Sequence, residues 1–203
     1  MGRYNYIGSY SYLSMAYNIK DVFYLSTSAT IAAGTPNGGS AQLDLSAYID
    51  PIARGRSKGT GLAVYKVHVS VNKNGSGGPI DDAEAGSFNY GLLAGAGLGD
   101  IATGDATIAG ATFEATNSLL VDSGTFYGPK SMIANASTPT NSYHTALTPA
   151  PEVPYVVVRD NVCLVYQVGD NMTGATILSV RLECAQITLD QATLNQLLRT
   201  QTV

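Results

Sequence analysis

Two histidines, His68 and His144, are the residues best suited by type to act as a general base near neutral pH. A Ser-His-Asp triad would need one of them, but no serine stands in the G-x-S-x-G turn that presents a nucleophile. His68 alternates with Lys66 and Ser70 in a strand-like stretch, which is typical of a solvent-facing or interface histidine. We therefore expect no enzymatic activity and no cofactor.

Three acidic residues, Asp81, Asp82 and Glu84, stand close together in the segment IDDAEAG. Their carboxylate oxygens could bind a hard cation such as Ca²⁺. The segment lacks the D-x-[DN]-x-[DN]-G pattern and the final glutamate of an EF-hand loop. We favour a solvated loop here and expect no metal site.

Arg54, Arg56 and Lys58 form a cationic cluster in the segment IARGRSKGTG. They could contact a phosphate, an acidic neighbour or lipid headgroups, and the alternative is an ordinary glycine-rich loop. The glycine-rich runs GLLAGAGLG and ATGDATIAGA lack the G-x-x-x-x-G-K-[ST] motif of a phosphate-binding loop. The cationic cluster stays a candidate for contact between subunits.

Charged residues make up only 13% of the 203-residue chain, against roughly 25% in typical soluble domains. This deficit favours extensive contact between subunits over a freely diffusing monomer. The formal net charge of −4 gives no attraction to nucleic acid, so sequence-specific nucleic-acid binding is not expected. The N-terminal stretch lacks the continuous apolar core of a secretory signal, which favours synthesis in a cytoplasm.

Alternation of apolar and polar residues predicts two half-buried antiparallel strands, in GLAVYKVHVSVNKNGSGG and TGATILSVRLECAQI. Each strand should turn one face to the core and the other to water. The predicted apolar faces consist of Tyr65, Val67, Val69 and Val71 in the first strand, and of Leu178, Val180, Leu182 and Cys184 in the second.

Further β-rich segments bring the predicted total to about eight strands. The segment 155–170 is either one long strand or two strands broken at residues 159–161, and GDNMTG (169–174) is predicted to form a hairpin into the last strand. The proline-rich stretch 129–154 is predicted to be a long loop. The other predicted strands are 21–34, 41–49 with Leu43, Leu45 and Ala47 on one face, 87–97, 106–115 and 117–128.

The two cysteines, Cys163 and Cys184, lie in apolar strand-like stretches. Two thiols in a core usually behave as small apolar side chains, although a disulfide between them stays open.

One helix is predicted at the C-terminus, in TLDQATLNQLLRT. Thr188 and Gln191 match the T-x-x-Q capping box that begins many helices. Leu194, Leu197 and Leu198 form an apolar stripe that should pack on the same domain or on a neighbouring subunit.

Tyrosines are concentrated in the N-terminal segment RYNYIGSYSYLSMAY (3–17). Within each pair the spacing is two residues, which in an extended chain places both rings on one face. A tyrosine buries a large ring at low entropic cost and keeps a hydroxyl for a hydrogen bond. We predict an adhesive arm that contacts its own domain or an adjacent subunit, with a first strand of the domain's own sheet as the alternative. The tyrosines concerned are Tyr4, Tyr6, Tyr10, Tyr12 and Tyr17.

The low charge, the N-terminal arm and the strand pair YVVVRDNVCLVYQVG and TGATILSVRLECAQI resemble the single jelly-roll major capsid proteins of tail-less icosahedral viruses. The resemblance implies an all-β, eight-stranded antiparallel jelly-roll sandwich with an extended N-terminal arm and a short C-terminal helix. It places the arm at 1–20, a single roll at 21–187 with a long loop at 129–154, and the helix and tail at 188–203.

The resemblance also implies a self-assembling, non-enzymatic coat subunit of a virion, assembled in the host cytoplasm. Among its first 24 residues, only Arg3 and Lys20 are cationic, unlike the basic arms that condense a genome. The chain is therefore more similar to capsid proteins that pack against an internal membrane or another shell component. Its expected partners are copies of itself, and a second capsid or penton protein and an internal membrane stay open.

A carbohydrate-binding module and an enzyme are the two alternatives to a capsid subunit. A lectin-like or fibre-tip module that binds carbohydrate would need exposed aromatic residues around a cleft, and the absence of tryptophan weakens this alternative. A cupin-like enzyme would need a metal triad, which two histidines without H-x-H spacing do not supply.

Overall fold

The computed structural model describes residues 22–34, 38–50, 58–80, 84–95, 113–129 and 142–201, except for the side chains of residues 142–146. These residues form nine strands and one helix. They are β1 (Phe23–Ile31), β2 (Gly38–Asp44), β3 (Lys58–Lys73), β4 (Ser87–Ala94), β5 (Leu120–Tyr127), β6 (Ser142–Leu147), β7 (Tyr155–Val157), β8 (Asn161–Asp170), β9 (Thr176–Asp190) and α1 (Gln191–Thr200).

The strands form two antiparallel sheets. One sheet has the order β1-β9-β3-β7 and the other has the order β2-β8-β4-β5-β6. The chain changes sheet at most of its connections, so strands that follow one another in sequence rarely pair. This arrangement is a jelly-roll-like β-sandwich with one short C-terminal helix, as the sequence predicted.

Two segments differ from the prediction in the type of structure they form. Strand β6 lies inside the stretch 129–154, which was predicted to be a loop, and it pairs with β5. Its sequence, SYHTAL, has too little apolar alternation to mark it as a strand. Of the predicted strand 106–115, residues 113–115 belong to a turn and the remainder lies outside the described residues.

Strands β9 and β3 supply much of the core between the sheets. In β9, Leu178, Val180, Leu182 and Cys184 are buried, which confirms the predicted apolar face. In β3 the pairing with β9 shifts register between Val64 and Lys66, so Tyr65 is the extra residue of a β-bulge. The prediction that Tyr65 belongs to the apolar face was wrong, because the bulge interrupts the alternation there. Core residues are Leu62 and Val64 before it and Val67 after it.

Both cysteines are free and buried. Cys184 lies in the main core between the sheets, whereas Cys163 belongs to a second apolar cluster with Leu93, Leu120 and Val165. Burial raises the pKa of Cys184 to about 12 and also raises the pKa of Cys163. The thiols therefore behave as small apolar side chains, and the disulfide alternative is not realised.

The segment 155–170 forms two strands that belong to different sheets, which resolves the alternative left open by the sequence. The predicted hairpin from β8 into β9 was wrong, because the connection 171–175 crosses from one sheet to the other. Hydrogen bonds between Ala85 and Thr173 hold this crossing. The Ala85 N–H donates to Thr173 Oγ1 at 2.7 Å, and the Thr173 N–H donates to the Ala85 carbonyl at 3.1 Å.

Strand β2 ends at Asp44, whose Oδ1 accepts a hydrogen bond from the Ser46 N–H at 2.8 Å. This Asx-turn ends the extended chain. The predicted strand therefore continued too far: Leu43 lies in β2, whereas Leu45 is buried within the turn and Ala47 is exposed.

Helix α1 is capped two residues later than predicted. Strand β9 continues through Thr188 to Asp190, and the Asp190 carboxylate accepts the Thr193 N–H at 2.7 Å as the N-cap. The capping role predicted for Thr188 was wrong, because Thr188 pairs with Thr60 in the β3–β9 ladder. No helix in the described part of the chain is long and apolar enough to span a membrane.

Tyr166 ties the two sheets together at the β1–β2 corner. Its hydroxyl, on β8, donates to the Thr30 carbonyl of β1 at 3.0 Å. The ring passes so close to Gly39 of β2 that a Cβ at this position would lie 2.6 Å from Tyr166 Cζ. Gly39 is therefore required by close approach rather than by its backbone conformation.

We expect Gly39→Ala to lower the free energy of unfolding by about 1–3 kcal/mol, because the added methyl displaces the Tyr166 ring. Urea denaturation followed by circular dichroism measures this change. Gly78→Ala is the matched control, since the nearest atom to its Cβ would be Ser76 Oγ at 3.4 Å. Equal stability of Gly39→Ala and wild type would contradict the assignment.

Candidate functional site

The outer face of the four-stranded sheet carries a grid of polar side chains. Strands β1, β9 and β3 lie side by side, and outward-facing residues of the three strands stand opposite one another in rows. The rows are Tyr24, Glu183 and Lys66, then Ser26, Arg181 and His68, then Ser28, Ser179 and Ser70.

A groove of about 690 Å³ crosses this grid. We call it the polar groove, and define it by Tyr24, Ser26, Ser28, His68, Ser179 and Arg181. Since these residues alternate with core residues of the same strands, the burial of one sheet face determines the position of the groove on the other.

An aromatic and charged cluster forms one end of the polar groove. The Tyr24 side chain is 58% exposed, and the guanidinium carbon of Arg181 lies 5.9 Å from its ring centroid. The His68 ring centroid lies 6.5 Å from that of Tyr24. His68 Nε2 is 3.5 Å from Glu183 Oε2, so the pair is ionic when the histidine is protonated. This end combines an aromatic surface with a guanidinium group.

Serine hydroxyls line the other end of the polar groove. Ser70 Oγ accepts a hydrogen bond from Asn72 Nδ2 at 2.5 Å. Within the described part of the chain, no serine of the groove is hydrogen-bonded to His68, and so no nucleophile–base pair is formed there. The chemistry of the groove is suited to binding through hydroxyls, a ring face and one cation.

Most of the residues predicted to contact other subunits lie outside the described residues. These are Tyr4, Tyr6, Tyr10, Tyr12, Tyr17, Arg54 and Arg56. Lys58 is exposed at the start of β3, opposite Asp190. The Thr193 N–H bond, and to a smaller extent the charge of Lys58, lowers the pKa of Asp190. The contact roles of the tyrosines and of Arg54 and Arg56 therefore stay predictions.

The leucine stripe of helix α1 packs against its own domain. Leu194 is fully buried, and a Cβ on Gly59 of β3 would lie 2.6 Å from its Cδ2. Leu197 and Leu198 are half-buried. Leu194 thus contributes to the interior of its own chain, and it could contact another subunit only if the helix left this position.

Gln201 holds the end of helix α1 against the outer edge of β7. Its Nε2 donates to the Val156 carbonyl at 2.6 Å, and its Oε1 accepts the Val158 N–H at 3.2 Å. Its backbone carbonyl accepts Arg159 Nε at 2.8 Å. One side-chain amide therefore occupies the backbone groups that β7 would offer to a further strand.

Asp122 is a buried acid that the sequence analysis missed. It lies on β5 and is only 1% exposed, and its Oδ2 accepts the Tyr90 hydroxyl at 3.0 Å. Burial raises the pKa of this carboxyl to about 6, partly offset by the hydrogen bonds from Tyr90 and Thr148. The signal in the sequence was a single carboxylate within the otherwise uncharged strand LVDSGTFY.

A second gap, of about 370 Å³, lies next to Asp122 between the two sheets. We call it the inter-sheet gap, and define it by Val67, Val69, Tyr90, Asp122 and Thr148. It lies beside β3, on the side opposite to the β1–β2 corner.

The predicted acidic cluster is only partly described, since Asp81 and Asp82 lie outside the described residues. Glu84 is buried, and its Oε1 accepts the Gly174 N–H at 2.5 Å in the connection from β8 to β9. Among the described residues, no group of three or more histidine, cysteine or acidic side chains could hold a metal ion. The position of Glu84 indicates a structural role in the sheet crossing.

No protein-family model matches the chain, and no curated protein matches its sequence. Similar solved structures include polyomavirus capsid proteins. VP1 of Trichodysplasia spinulosa-associated polyomavirus in complex with GM1 oligosaccharide has 9% identity and a TM-score of 0.34, covering 85% of this chain and 98% of that chain. Merkel Cell Polyomavirus VP1 in complex with disialyllactose has 8% identity and a TM-score of 0.31, covering 85% and 99%. The TM-scores are too low to carry a functional conclusion.

Asp122→Asn should change the pH dependence of stability. Because the folded-state pKa of Asp122 is raised from 3.8 to about 6, the wild type loses stability as pH rises from about 4 to about 6. The amide keeps an acceptor for Tyr90 and cannot ionise, so we expect the variant to be more stable at pH 7 by on the order of 2–3 kcal/mol. Urea denaturation between pH 4 and pH 7 measures the difference.

Asp44→Asn is the control with the opposite sign. The Ser46 hydrogen bond lowers the pKa of the exposed Asp44, so this carboxylate stabilises the fold above its unfolded pKa and loses that effect as pH falls. A difference between Asp122→Asn and wild type that did not vary with pH would refute the assignment for Asp122.

Proposed function

We propose that this protein is a structural capsid subunit that assembles with copies of itself into the shell of a virion. The observation that carries the proposal is the strand order β1-β9-β3-β7 and β2-β8-β4-β5-β6, a jelly-roll order that viral capsid proteins, lectin domains and cupins use. A fold shared by several functions does not choose among them, so the choice rests on the surface.

The surface favours assembly over an independent monomer. Only 13% of the residues are charged, and on the outer sheet face the row Ser28, Ser179 and Ser70 is uncharged. Such a surface can be covered by a neighbour at a small desolvation cost, because few charges must leave water. The proposal includes a location in the virion. A second capsid or penton protein and an internal membrane are further proposed partners.

The decisive experiment is a size measurement of the purified full chain by sedimentation velocity and negative-stain electron microscopy. We expect large, concentration-dependent homo-oligomers. Deletion of residues 1–17 should impair their formation while leaving the melting temperature of the domain nearly unchanged. A monodisperse monomer at high concentration would count strongly against a shell, and loss of folding on deletion would show that residues 1–17 belong to the domain's own sheet.

Carbohydrate binding is the second candidate, and the polar groove favours it. An exposed tyrosine ring beside a guanidinium group and serine hydroxyls provides the stacking surface and hydrogen-bonding groups that a sugar requires. This function would use the same sheet face without requiring assembly.

A glycan-binding screen of the full chain tests the second candidate. If the groove binds a glycan, Arg181→Ala and Tyr24→Ala should each weaken binding at least about tenfold, the loss expected for one charged or stacked contact. Thr30→Ala, on the same sheet face but outside the groove, should bind normally. Equal binding by all three variants would place the glycan elsewhere.

A further inference from the structure

The longest strand of the four-stranded sheet is covered along only part of one edge. Strand β3 pairs with β9 along its whole length, but on its other side only Leu62–Val64 pair with β7. Within the described part of the chain, residues 66–72 have no strand partner on that side. We call this row the β3 edge. An open edge of this length is a template for another strand.

The hydrogen bonds of Gln201 show which backbone groups point into the β3 edge. They occupy the Val156 carbonyl and the Val158 N–H, so the backbone N–H and carbonyl groups of these two residues are directed away from β3. The backbone groups of Val157 are therefore directed towards β3. The backbone groups of Leu62, which lies opposite Val157, are therefore directed towards β7. The bulge at Tyr65 shifts this alternation by one residue. The outward-directed backbone groups beyond the bulge belong to Val67, Val69 and Val71.

The same three valines turn their side chains towards the other sheet. Val67 is buried, whereas Val69 and Val71 are only half-buried at the rim of the core. The inter-sheet gap lies directly beside Val67 and Val69. A strand added along the β3 edge would place alternate side chains in this gap and the others beside Lys66, His68 and Ser70 on the polar face.

The segment SYSY at positions 9–12 fits both faces of such a strand. Tyr10 and Tyr12 would enter the inter-sheet gap, where Asp122 and Thr148 offer polar partners for their hydroxyls. Ser9 and Ser11 would continue the serine-rich outer face. The ten residue steps from Tyr12 to Val22 span up to about 33–36 Å when extended, so residues 9–12 can lie well away from the start of β1.

We propose that residues 9–12 of one copy add as a strand to the β3 edge of a second copy. This inference rests on the proposed shell function and identifies one joint of that shell. Backbone hydrogen bonds provide the affinity, and the tyrosine rings determine the register. Gln201 closes the neighbouring edge at β7, so on this side of the sheet the added strand would pair with β3 itself.

Amide hydrogen exchange of the full chain, at several protein concentrations, tests the inference together with sedimentation. In the oligomer we expect residues 66–72 and 9–12 to exchange slower by roughly tenfold or more than in the dilute monomer. Val69→Lys places a charge in the inter-sheet gap and should abolish this protection and reduce the oligomer. Gln42→Lys is the control, at an exposed position of β2 in the other sheet, and it should retain both protections.

Four outcomes would overturn the inference, and they differ in what else they refute. Protection of residues 66–72 that is independent of concentration would mean that the same chain covers its own edge. Oligomers with fast exchange at residues 66–72 would mean that the shell forms through another surface, leaving the proposed function intact. Absence of oligomers at every concentration would refute the inference and the proposed function together. Thermal melting of both lysine variants identifies any loss of folding, and a folded Val69→Lys that keeps protection also contradicts the inference.

Discussion

The burial of one face of each sheet against the other is the interaction on which the rest of this structure depends. Leucines, valines and phenylalanines from both sheets form one continuous core. Because strand side chains alternate, this burial forces the remaining side chains of β1, β3 and β9 outwards. The polar groove is a direct consequence, since its serines, Tyr24 and Arg181 are the residues that the core does not use.

The crossings between the sheets impose the second constraint. A chain that changes sheet must turn within a few residues and still satisfy its backbone groups. The connection from β8 to β9 achieves this through Glu84, which bonds the Gly174 N–H, and through the paired Ala85 and Thr173. Glu84, which the sequence offered as a candidate cation ligand, thus stabilises a backbone turn.

Unequal strand lengths give the sandwich its asymmetry. At the β1–β2 corner, Tyr166 and Gly39 close the two sheets on each other. On the opposite side β7 is three residues long, while β3 has sixteen. Gln201 covers the edge of β7, but no described strand extends that cover along β3. An uncovered edge of this kind is a template for a partner strand.

The sequence by itself determined the all-β class and the buried face of β9, whereas it left a disulfide between the two cysteines open. Alternation in β9 predicts its buried face because that signal depends only on the chemistry of successive residues. The sequence also predicts the C-terminal helix. Asp190 rather than Thr188 caps this helix, because β9 continues to Asp190.

Only the tertiary structure decided which strands pair. The bulge at Tyr65 and the crossing at residues 171–175 follow from packing between segments that are distant in sequence. The same holds for the burial of Asp122 beside Tyr90 and for the uncovered β3 edge. Local pattern specifies the face of a strand, whereas its neighbours and edges are specified by the rest of the chain.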